Sequence, residues 1–106
     1  MPFLNLHELP GKQLFPGFKG RFVHSENMTF AYWDIEADAV LPEHSHSHEQ
    51  VATIIAGKLE LTVNGETEVL RPGSVAVIQS NAVHSGKAIT VCRVIDVFYP
   101  VREDYR

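Results

Sequence analysis

The chain has 106 residues, with nine Lys plus Arg against thirteen Asp plus Glu, six His and a single Cys. That length supports one domain with one modest core, and one cysteine excludes an internal disulfide scaffold. The net charge of −4 argues against a nucleic-acid partner, which needs a basic face. No apolar run approaches the ~20 residues of a transmembrane helix, and Met1–Lys12 lacks the basic-then-apolar order of a signal peptide. A cytoplasmic protein without a membrane partner is therefore expected.

Val, Ile and Thr total 23 residues against 16 for Ala and Leu, a balance that favours strands. Residues 1–20, rich in Pro, Gly and Phe, read as a wrap or irregular edge strand. Asn27–Glu36 is an aromatic-rich strand in which Tyr32 and Trp33 take opposite faces. Glu49–Ala56 and Lys58–Asn64 are strands separated by Gly57. The second alternates cleanly, Leu59, Leu61 and Val63 against Lys58, Glu60 and Thr62. Asn64-Gly65 predicts a tight hairpin turn, and the return strand Glu66–Arg71 stops at Pro72-Gly73. Ser74–Gln79 and Ile89–Tyr99 complete the set, and residues 100–106 form a polar tail expected to leave the sheet. Short strands with this punctuation predict an all-β sandwich or small barrel.

The histidines concentrate in Leu41–Gly57, LPEHSHSHEQVATIIAG. On an extended chain His44, His46, His48 and Gln50 share a side. Neighbours there sit about 6.5–7 Å apart, so two can converge on one ion. A group from another strand must close the shell, and His84 is the candidate. The alternative is a solvated His-rich loop with adventitious metal affinity.

The offsets His44-x-His46-x3-Gln50-x6-Gly57 and Gly73-x10-His84 resemble the two motifs of the cupin superfamily, G-x5-H-x-H-x3–4-E-x6-G and G-x5-P-x-G-x2-H-x3-N. The resemblance implies a jelly-roll barrel of six to eight strands. It departs at Gln50, Gln79, Asn81 and Ala88, where the motifs have Glu, Pro, Gly and Asn. An amide at Gln50 adds no charge, so the ion would keep its full charge and act as a stronger Lewis acid.

In the last strand Asp96 falls on the face of Cys92, Val94 and Phe98. A carboxylate there is costly unless paired, hydrogen-bonded or protonated. It is either a structurally satisfied Asp or a group held for proton transfer. Arg93, on the other face, reads as a surface charge, and Cys92 as a small buried hydrophobe.

The run Ile95-Asp96-Val97-Phe98-Tyr99-Pro100-Val101-Arg102-Glu103-Asp104-Tyr105, with His44-x-His46-x-His48-x-Gln50-Val51, is similar to small single-domain cupins of pectin and alginate breakdown, which convert 4,5-unsaturated monouronates to linear keto sugars. The resemblance implies one divalent ion (Ni, Fe, Mn, Zn or Cu) on His44, His46, Gln50 and His84. It implies Asp96 as the acid/base, and Phe98 and Arg102 at the sugar. His48 is a further candidate for substrate contact. A homodimer is expected, with the Ile95, Val97 and Tyr99 face covered. A cupin dioxygenase using Fe or Mn and a non-catalytic sugar-binding cupin are the alternatives.

Overall fold

A computed structural model describes residues 2–106. Among the described residues ten strands form two antiparallel sheets facing each other. The six-stranded sheet has the order β1(Lys12–Phe15), β2(Phe18–His24), β3(Thr29–Ile35), β10(Cys92–Tyr99), β5(Glu49–Ala56), β8(Val75–Ile78). The four-stranded sheet has the order β4(Val40–His44), β9(His84–Ala88), β6(Leu59–Val63), β7(Glu66–Leu70). Among the described residues no helix is long and apolar enough to cross a membrane.

The period-two pattern sets the faces. Along β3 and β10 every second residue is buried, so Ala31, Trp33, Val94 and Phe98 point between the sheets while Tyr32, Ile95 and Val97 point out. Leu59, Leu61 and Leu70 answer them from the smaller sheet. Asn64 and Gly65 both take positive φ, 48° and 83°, the twist a two-residue hairpin turn requires. Gly57, at φ 84°, turns the chain from one sheet to the other where a Cβ would collide with the Val91 carbonyl.

Some expectations change. Ten strands replace six to eight, because β2, β4 and β9 are short or lie among Gly and Pro. Of residues 1–20, whose Met1 lies outside the described residues, only Lys12–Phe15 is the irregular edge strand, with a register shift between Gln13 and Phe15. Phe18–Gly20 instead open β2, an interior strand. Gly20 belongs there because it pairs with Trp33, and a Cβ would come within 2.8 Å of the indole ring. The polar tail leaves the sheet but folds back. A 3-10 turn, Glu103–Tyr105, sets the Tyr105 ring against Phe22, Phe98 and Trp33, with centroids 4.9, 5.8 and 6.4 Å away.

The outer face of the larger sheet is also patterned. Cross-strand partners place Val77, Val51, Val97, Phe30 and Val23 in one row, and Val75, Thr53, Ile95 and Tyr32 in the next. Val77 and Val75 are 67% and 56% exposed.

Candidate metal centre and active site

His44 and His84 are cross-strand partners on β4 and β9, so their rings meet, with centroids 4.1 Å apart. Gln50 stands opposite on β5 of the other sheet. The chain passes between the sheets over residues 45–48, which are not part of a strand and bend at Ser47 and His48. This corrects the expectation of one extended segment: His44 and Gln50 approach from different sheets, and His46 comes from the crossover. Asn81 N–H donates to the His46 carbonyl at 2.8 Å and Ser80 Oγ to the Ser47 carbonyl at 2.7 Å, pinning the crossover to the loop that leads into His84. Asn81 does this at φ 66°. It takes the left-handed conformation that the motif glycine supplies elsewhere and that Asn tolerates.

One ring nitrogen from each of His44, His46 and His84 lies within 4.8 Å of the others. The opposite nitrogens are engaged: His44 Nδ1 with the Pro42 carbonyl (2.8 Å), His46 Nδ1 with that of His48 (3.0 Å), and His84 Nδ1 with that of Ala82 (2.9 Å). A carbonyl accepts only, so each Nδ1 is the protonated nitrogen and each Nε2 of a neutral ring presents a lone pair inward. Burial holds His46 and His84 below the ordinary histidine pKa, helped by the nearby Arg102 charge.

The His84 Nε2 is buried with no partner, and His46 Nε2 sits 3.1 Å from Gln50 Oε1. With His46 Nδ1 protonated, those two atoms are both lone-pair donors. Their approach suits two neighbouring ligands of one cation whose bonds are about 2.0–2.2 Å long. The donor set of three imidazoles and an amide oxygen therefore fits a first-row divalent ion.

Asp96 lies beside this cluster, between Ala31 and Ala52 on the flanking strands, whose small side chains leave room around it. The Trp33 indole N–H donates to Asp96 Oδ2 at 3.0 Å, while Oδ1 is buried without a hydrogen bond. Burial pushes the carboxyl pKa up to about 6, against the opposing pull of the Gln50 amide, the Trp33 N–H and the Arg102 charge.

A cavity of about 290 Å³ joins these groups, with His44, His46, Gln50, His84 and Asp96 in its wall and Phe98, Arg102 and Tyr105 beside them. Its size is at the small end for small-molecule sites. The Arg102 guanidinium carbon lies 4.7 Å from the Phe98 ring centroid and 4.0 Å from that of Tyr105. His48 is not part of the wall. Its ring packs against His46 and Phe98 (centroids 5.6 and 6.5 Å) with Nδ1 buried and unpartnered, and its backbone carbonyl accepts from His46 Nδ1. Cys92 is fully buried, its thiol pKa raised by burial, as expected of a packing residue. Arg93 makes an outer-face ion pair with Asp34 at 3.3 Å.

The sequence offers no sign of Tyr105 and Asp104 in the cavity wall, whereas Trp33 there is one of the outcomes open to the opposed pair Tyr32 and Trp33. Trp33 is 63 residues from Asp96 in sequence, and only strand register joins them. The one available signal was parity, since Trp33 shares the inward face of β3.

The sequence matches the Cupin domain family over residues 31–98. The chain is a cupin. It is 28% identical over 101 residues to the pectin degradation protein KdgF of Dickeya dadantii, covering 92% of each chain. The structure of KdgF from Halomonas sp. superposes with a TM-score of 0.93 at 27% identity, covering 100% of this chain and 99% of that one. An RmlC-like cupin from Shewanella frigidimarina superposes at 0.95 with 22% identity, over 100% and 96% of the two chains, a likeness of fold.

Proposed function

We propose that this cupin opens the ring of 4,5-unsaturated monouronates to linear keto sugars, with His44, His46, Gln50 and His84 holding one divalent ion and Asp96 moving the proton. The observation that carries this is a buried carboxylate oxygen with no partner, Asp96 Oδ1, in the same small cavity as the histidine cluster. The likeness to pectin degradation proteins supports the substrate class.

When bound, the ion supplies Lewis-acid stabilisation of negative charge developing on sugar oxygens. The rest falls to the chain. Asp96 Oδ1 accepts the anomeric hydroxyl proton, the anomeric carbon becomes an aldehyde carbonyl, and its bond to the ring oxygen breaks with the electron pair going to that oxygen. What remains is an enolate, with the C4–C5 double bond and the negative charge on the oxygen at C5. The proton held by Asp96, delivered to C4, converts it to the ketone as the C5–oxygen bond becomes a carbonyl, so the sequence is a balanced isomerisation. A carboxyl pKa of about 6 suits a group that must both take and give a proton near neutrality. Phe98 packs against an apolar sugar face. Arg102, among the described residues the one Lys or Arg in the cavity wall, pairs with the uronate carboxylate, which the chain's net negative charge would otherwise disfavour.

Purified protein incubated with unsaturated galacturonate tests this, with ring opening followed as loss of the conjugated double bond's ultraviolet absorbance and the bound metal identified by elemental analysis. Ring opening without oxygen uptake is expected. Oxygen consumption with the sugar intact would favour a dioxygenase, and tight binding with no turnover a binding module.

We infer too that the protein is a homodimer joined through the outer face of the larger sheet. An apolar surface spanning five strands is unusual on a monomer. Its margin carries both signs, Asp34 beside Arg21 (3.5 Å) and Arg93 (3.3 Å), which suits a two-fold-related copy of the same face.

A further inference from the structure

We propose that Asp104 is a positioning residue for the carboxylate subsite, holding Arg102 so that one edge of its guanidinium is kept for the substrate; this rests on the uronate reading above. Arg102 is 8% exposed and fixed at both ends. Its backbone N–H donates to Thr29 Oγ1 at 2.8 Å, and the same hydroxyl meets His24 Nδ1 at 2.8 Å, which leaves Thr29 little freedom to turn away.

The guanidinium is held in turn. Arg102 Nε donates to Asp104 Oδ1 at 3.0 Å and Nη2 to Asp104 Oδ2 at 2.8 Å. A guanidinium has five N–H bonds. Asp104 takes two of them along the Nε–Nη2 side, so both N–H of Nη1 and the second of Nη2 remain. Of those three, one N–H from each Nη forms the end-on fork, the edge that matches a carboxylate in a second bidentate pair. The Phe98 and Tyr105 rings, 4.7 and 4.0 Å from the guanidinium carbon, fix its plane, and Asp104 fixes its rotation within that plane.

Two effects of Asp104 on an anionic ligand oppose each other. Its negative charge repels the substrate carboxylate, and its fork preorganises Arg102. The Asp104 side chain is 58% exposed against 10% for Arg102, so solvent screens the repulsion heavily. The two charge-assisted hydrogen bonds act on a buried group, where lost orientation is felt in full. Preorganisation wins, and removing the carboxylate weakens binding of an anionic sugar.

The test is calorimetric binding of saturated galacturonate, which cannot react, and of neutral galactose, to wild type, Asp104→Asn, Asp104→Glu and Arg102→Ala, alongside steady-state kinetics on the unsaturated uronate. Asp104→Asn is expected to weaken galacturonate about tenfold and raise KM to match, with kcat within about twofold and galactose binding unchanged. Asp104→Glu should recover part of the loss. The Arg102 Nε–H resonance, slowly exchanging in wild type, should broaden or vanish in Asp104→Asn, a readout that a folding defect monitored by circular dichroism would not mimic. Galacturonate binding by Asp104→Asn equal to or tighter than wild type overturns the proposal and leaves the uronate reading standing. Failure of wild type to prefer galacturonate over galactose, or of Arg102→Ala to abolish that preference, overturns the uronate reading itself.

Discussion

The Trp33 indole N–H ties down one oxygen of the Asp96 carboxylate, at 3.0 Å, and leaves the other buried and unpaired. Replacing Trp33 with Phe keeps an aromatic ring against Phe18 and Phe22, which meet it edge-on at 5.9 and 5.5 Å, and removes that donor along with part of the buried ring volume. The N–H favours the ionised carboxyl, so its loss raises the Asp96 pKa. If Asp96 accepts the first proton, as proposed, it must be ionised to do so, and the acid limb of kcat/KM should move to higher pH by about one unit. An unmoved limb would mean that this hydrogen bond does not tune the group.

Asp96→Asn separates chemistry from stability. Without the proton acceptor, kcat should fall by about 10²–10⁴-fold. The metal-free protein should nevertheless gain stability at neutral pH. Its folded-state pKa of about 6 lies above the ordinary 3.8, so the folded protein holds this proton more tightly than the unfolded chain does. Asp96's contribution is thus most favourable below pH 4 and is lost as pH rises through 6. A gap of about two units corresponds to roughly 2–3 kcal/mol. Denaturant melts of both proteins at pH 8 and pH 4 should show the variant's advantage at the higher pH shrinking toward zero at the lower.

The fold was legible because alternation survives wherever one face of a strand is buried. The inward set Cys92, Val94, Asp96 and Phe98 could be read from β10 alone. The clustering of His44, His46, Gln50 and His84 was legible from spacing, though for a reason different from the one the spacing suggested. His44, His46 and Gln50 converge because the chain crosses between sheets at His46, not because a strand carries all three. Shared parity cannot distinguish the two cases. What stayed hidden was every contact made by register: Trp33 on Asp96, Ser80 and Asn81 on the crossover, and Thr29 under Arg102. His48 lies off the cavity wall for a related reason, since on an extended chain it would share the cavity side and here the chain bends at Ser47–His48.

Chelation should abolish turnover and lower the melting temperature together, since the ligands come from both sheets and an ion at 100 times its Kd adds about 2.7 kcal/mol. Re-addition of a single divalent ion should restore both. His46 and His84 titrate below the ordinary histidine range, so protons compete with the ion only in more acid solution. Metal content measured against pH should hold through neutral pH and fall only in more acid solution, whereas His84→Ala should bind weakly at every pH.

If the outer face of the larger sheet joins two copies, a charge at its centre should separate them. Val51 and Val77 are cross-strand neighbours there, and Val51→Asp with Val77→Asp would bury two carboxylates in an apolar interface. Sedimentation equilibrium should give twice the chain mass for wild type and the chain mass for the double variant, with the inward-facing site still able to bind metal. A wild-type protein that is monomeric at high micromolar concentration would rule the dimer out.

Gln50→Glu asks whether the neutral ligand matters. Gln50 Oε1 faces His46 Nε2 at 3.1 Å, and its amide favours the ionised form of Asp96. A carboxylate at this position would neutralise part of the ion's charge, so affinity for the ion should rise while its Lewis acidity falls. It would also replace a favourable dipole beside Asp96 with a like charge, pushing the Asp96 pKa up and leaving less of it ionised at neutral pH. Both effects act against the first proton transfer. The variant should hold its ion more tightly in competition with a chelator, yet turn over at least about tenfold more slowly at pH 7, with part of the rate recovered at higher pH. Recovery separates the two effects: a loss from weakened Lewis acidity alone would be the same at every pH.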